Sequence, residues 1–140
     1  MNLNIKDASN YFKGLLLLIR KDRQITQPEI EVIKSVGTFL GFEKEFCDNA
    51  ISEILKNTHI EDVPPVFSTK ELAIKFLKDG IYLAFVDHEE IHPGEQQWLQ
   101  SIAEKNGLDL EFLSQEIKNV RNKKGEPSRL EVIELTTEYS

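Results

Sequence analysis

Residues 88 to 92 spell HEEIH. Two histidines four apart, with a glutamate after the first, form the H-E-x-x-H pattern of a helical zinc site. An unbroken helix sets both imidazoles on one face, and the glutamate activates the metal-bound water. Here Pro93 follows His92 directly, and Gly94 comes next. The residue before a proline is pushed out of the α region, so the pattern predicts a helix that begins near His92 rather than one running through it. Trp98 stands where the longer form of the motif has its third histidine. A zinc-dependent hydrolase using His88, Glu89 and His92 is thereby the alternative reading.

The same stretch is rich in carboxylates. Asp87, Glu89, Glu90 and Glu95 lie in one turn, and Asp22 and Glu29 lie in a matching turn, "DRQITQPE", in the first half of the chain. Asp22, Ile25 and Glu29 have the spacing of the end of a calcium-binding EF-hand loop. Arg23 replaces its glycine, however, and Leu18 and Arg20 occupy earlier ligand positions, so seven oxygen ligands cannot be assembled. A weaker divalent-metal site remains open if the two turns approach each other. Asp22, Glu29, Asp87 and Glu95 are its candidate ligands, and His88 and His92 would add nitrogen and favour a transition metal. The competing reading is local: Thr26 with Glu29, and His92 with Glu95, have capping-box spacing, and a glutamate in the first turn suits the helix dipole.

The elements that would carry these turns are helical. Apolar residues recur at 3.6-residue spacing around Tyr11–Ile19, Ile30–Leu40, Phe46–Leu55, Leu72–Phe85, Trp98–Ala103 and Phe112–Val120. Pro64 and Pro65 interrupt the pattern midway, and Ser68 with Glu71 has the spacing of a box opening the fourth helix. The second half repeats the first: Ile25, Glu29, Gly41 and Phe46 correspond to Ile91, Glu95, Gly107 and Phe112, each pair 66 residues apart. Upstream of the turns the offset is 65, as between Asp22 and Asp87. The expectation is an all-α bundle of six to seven helices forming one domain over 1–124. Repeat one spans 11–57 and repeat two 68–121. Residues 125–140 would be a tail or short helix, with enough Val and Thr to permit a strand.

Asp, a short polar gap, Ile and a helix start with Glu three residues on, set between an apolar helix and a "GF" or "GL" turn, resembles the TerB-like domain of the tellurite-resistance family. Asp22, Ile25, Thr26, Glu29 and Gly41 carry the likeness in the first repeat, and Asp87, Ile91, Glu95 and Gly107 in the second. The family turn usually has Gly after the Asp, where this chain has Arg23 and His88. The resemblance implies a compact bundle of two helical repeats, a stress-associated protein-interaction role and an acidic surface that takes metal ions at Asp22, Glu29, Asp87 and Glu95.

Composition narrows the partners. With 17 Lys and Arg against 24 Asp and Glu, the net charge is −7, which disfavours nucleic acid and anionic membranes. One cysteine, Cys47, excludes an internal disulfide framework and a cysteine-rich zinc site. The opening residues "MNLNIKDASN" show no secretory pattern, and "YFKGLLLLI" is too short to span a bilayer. A cytoplasmic, non-enzymatic module with a protein partner is the reading these features favour; a homodimer, or a purely structural protein without ligand, are the other outcomes they allow.

Overall fold

The computed structural model describes residues 2–21, 25–57, 60–123, 130–131 and 136–137. The protein is all-α. Among the described residues six helices run in order: α1 (Ile5–Arg20), α2 (Gln27–Phe39), α3 (Lys44–Lys56), α4 (Lys70–Phe85), α5 (Pro93–Lys105) and α6 (Leu110–Asn122). A two-residue parallel pair joins the ends, β1 (Asn2–Leu3) beside β2 (Thr136–Thr137). The tail therefore returns to the start of the chain, and as a strand at these two positions.

Burial follows from composition. α1 buries Tyr11, Phe12 and every residue from Gly14 to Ile19, so it is apolar on nearly all sides and occupies the centre. α4 is its counterpart, burying Phe76, Leu77 and most residues from Asp79 to Phe85. The outer helices bury one stripe each, such as Ile33, Val36 and Gly37 on α2 or Leu113 and Ile117 on α6. α1 packs on α2, α3, α4 and α5, and α4 packs on α1, α5 and α6.

α1 begins at Ile5, well before the apolar stripe at Tyr11, because the Asn4 side chain accepts the Asp7 N–H at 2.8 Å and supplies an N-cap. The opening of α4 also differs from the expected Ser68 box. Thr69 is the N-cap, accepting the Leu72 N–H at 3.1 Å. Ser68 is drawn away by buried Asp7, whose carboxylate accepts both its hydroxyl and its N–H. The glycine turns are as expected. Gly41 and Gly107 have φ of 90° and 72°, and each closes its helix the same way, with Phe42 N–H on Gly37 O at 2.9 Å and Leu108 N–H on Ala103 O at 2.8 Å.

Further buried polar contacts tie distant parts of the chain together. The Tyr11 hydroxyl donates to Asp79 at 2.5 Å, and burial followed by the Asp79 charge holds that phenol well above its ordinary pKa. Trp98 Nε1 donates to Gly14 O at 3.1 Å. Asn106 accepts from Phe67 N–H and donates to Pro65 O and Ile102 O, pinning the linker between the repeats.

Gly37 sets the distance between α2 and α3, since a Cβ there would lie 2.4 Å from Cys47 Sγ and 3.1 Å from the Phe12 ring. Gly37→Ala should cost about 1–3 kcal/mol of stability in urea unfolding, the usual penalty of overpacking. Adding Cys47→Ala, which removes the clashing sulfur, should recover part of that loss.

Candidate functional site

The two acidic turns meet at one end of the bundle. In the first, Thr26 is the N-cap of α2, and Glu29 Oε1 accepts the Thr26 N–H at 2.8 Å. In the second, His92 is the N-cap of α5, with φ −69° and ψ 139°; its Nδ1 accepts the Gly94 N–H at 3.0 Å, and Glu95 Oε1 accepts the His92 N–H at 3.2 Å. Both boxes were legible as i, i+3 spacings. HEEIH accordingly lies in a turn, with His92 extended and Pro93 opening the helix. The two imidazoles do not share a helical face.

The capping glutamates are buried to a degree their spacing gave no sign of. Glu29 and Glu95 are both 0% exposed, and the second oxygen of each, Oε2, is buried as well. Burying a carboxylate is costly unless charge or hydrogen bonds compensate. For Glu29 the compensating group comes from the other repeat: His88 Nε2 lies 3.8 Å from Oε2. That is beyond hydrogen-bond length but within reach of a strong Coulomb interaction when the imidazole is protonated.

The contact is reciprocated. Lys21, at the end of α1, sets its Cβ 3.5 Å from where a Cβ on Gly94 would be, and its ammonium lies 5.0 Å from the centre of the Trp98 ring. Arg20 and Lys21 also hold Asp62 of the linker, and Arg20 donates to Asn57 O at 3.2 Å and Ile60 O at 3.0 Å. Sequence reasoning missed Lys21, Asp62 and Trp98 here, because their partners lie about 40 or more residues away.

The expected metal residues separate into groups. Glu29 and His88 come together across the repeats. Glu95 is buried at its own helix start, and His92 uses Nδ1 as a cap. Asp87, Glu89 and Glu90 are exposed, and Glu90 pairs with Arg121 at 2.9 Å. Asp22 lies outside the described residues, as does His59. Among the described residues no three His, Cys, Asp or Glu side chains form a metal cage. Glu29 Oε2 and His88 Nε2 stand 3.8 Å apart, a few tenths of an ångström more than the about 3.4 Å between two ligands of a tetrahedral zinc. No described helix is long and apolar enough to cross a membrane.

Asp62 gives the turn end a pH dependence. Burial alone would raise its carboxyl, but the hydrogen bonds and charges of Lys21 and Arg20 outweigh it and hold the group below its ordinary value. A carboxyl depressed in the folded state contributes stability above its unfolded pKa, about 4, and loses it as pH falls through the folded value. Asp62→Asn should therefore be less stable than wild type at pH 7, with the gap closing below about pH 4 in urea titrations. Comparison with known proteins adds no relative to this site: the chain has no significant match to a protein-family profile, a curated protein or a solved structure.

Proposed function

We propose that this chain is a non-enzymatic, TerB-like helical module that serves as a protein-interaction domain and responds to a divalent transition metal at the end where its two turns meet. The observation that carries the metal half is the 3.8 Å approach of Glu29 Oε2 and His88 Nε2, a buried oxygen and a nitrogen from opposite repeats. One carboxylate and one imidazole suit zinc or manganese better than calcium, which takes six to eight oxygens. Asp22, in the same turn as Glu29 by sequence, is the natural third ligand. An ion held there would set a positive charge beside the Glu29 carboxylate and tie the repeats together. The net charge of −7 supports a protein partner over nucleic acid.

The test is a thermal melt of chelator-stripped protein titrated with zinc, manganese, magnesium and calcium. At a hundred times its dissociation constant a specific ion should add about 2.7 kcal/mol, a rise of several degrees. The rise should vanish in Glu29→Gln, which keeps the capping box but removes the charge, and in His88→Ala. No shift with any ion would leave Glu29 and Glu95 as helix caps alone, and a shift that survives both substitutions would place the metal elsewhere.

A further inference from the structure

Along α1 and α3 lies an apolar cavity of about 350 Å³, half open to solvent, within the range of small-molecule sites. Phe12, Leu16, Ala50 and Ile54 line it together with Phe42 and Phe46, and Ile60 of the linker borders it. Phe46 is 51% exposed although its ring stacks at 4.9 Å on Phe42. At the matching positions of repeat two, half-buried Glu116 replaces Ala50, while Phe112, also half-buried, keeps the aromatic of Phe46. Ala50 thus leaves space in repeat one where repeat two carries a long side chain.

Polar groups mark the two ends. Ser9 and Lys13, four residues apart on α1, line one end, and Glu53 lines the other. α1 and α3 run side by side in the same direction, as the Phe12–Phe46 contact at 6.2 Å and the Arg20 bond to Asn57 O at 3.2 Å require. Glu53 is seven residues beyond Phe46, hence about 10 Å further along. Its carboxylate already accepts from the Asn57 amide at 3.0 Å. Lys13 has no carboxylate partner among the described residues, whereas its counterpart in repeat two, Lys78, faces Glu131 at 3.7 Å. The chain answers one of these lysines with its own carboxylate and leaves the other at the mouth of an apolar cavity.

We infer that this cavity binds a medium-chain acyl carboxylate, its chain lying between Leu16, Ala50, Ile54 and Ile60 and its carboxylate on Lys13 and Ser9. Glu53 sets the direction, because an anionic head would be repelled at its end. None of the candidate metal ligands lines this cavity, so the assignment does not rest on metal binding.

Isothermal titration of the full chain with decanoate, below its micelle concentration, tests the assignment. Saturable one-to-one binding is expected, weakened about tenfold in Lys13→Glu and with decanol in place of decanoate, as for loss of one charge-assisted contact. Ala50→Glu, which imports the residue of repeat two, should abolish binding while the circular-dichroism melt stays cooperative. If that variant fails to fold, the exposed Lys13→Glu change still decides. Absence of saturable binding would overturn the assignment and leave the groove to a partner's side chains. Equal affinity for decanol and decanoate, or binding untouched by folded Ala50→Glu, would overturn it as well.

Discussion

The close approach of α1 and α4 is the constraint on which the rest of the bundle depends. A Cβ on Gly14 would lie 2.8 Å from the Phe76 ring, and one on Gly80 would lie 2.9 Å from Leu99. The missing side chains let two central helices sit against each other and against α5, and the other helices then have an apolar surface to cover. Tyr11 meets Phe76 edge to face at 5.3 Å beside this contact. The Tyr11 hydroxyl could not enter such a core without an acceptor, which Asp79 provides. Asp79 in turn accepts the backbone N–H of Glu131 at 2.6 Å, so the buried carboxylate that satisfies the centre also anchors the returning tail.

The ends of the bundle use charge where the centre uses shape. At the starts of α2 and α5 a glutamate ties back to its own N-cap, which satisfies backbone donors that would otherwise be buried and unbonded. Packing the turns together then removes these carboxylates from water, and the chain compensates Glu29 with an imidazole from the opposite repeat. His88 thus sets a ring nitrogen opposite the buried oxygen of a residue 59 positions earlier in the chain.

Much of the architecture could be read from local pattern. Capping boxes at Thr26 and His92 and the left-handed glycines Gly41 and Gly107 involve residues at most a few positions apart, so their chemistry is written in short spacings. The same locality explains the error at Ser68. Its spacing to Glu71 was right for a cap, but Asp7, 61 residues away, claims its hydroxyl. The early start of α1 was hidden for a related reason: Asn4 caps a first turn that carries little apolar signal.

The sequence by itself determined the helical class, the internal repeat, the caps that start α2 and α5 and the glycines that end them, because 3.6-residue periodicity and turn chemistry are properties of neighbouring residues. Only the tertiary structure decided that Glu29 and Glu95 are buried, that Glu29 faces His88 rather than Glu95, and that the outer exposed carboxylates stand apart. It likewise decided that Phe46 and Ala50 line one apolar cavity with Phe12 and Leu16 of α1. Burial and pairing of these groups depend on how elements 40 to 80 residues apart approach, and no spacing along the chain encodes the distance between two helices packed side by side.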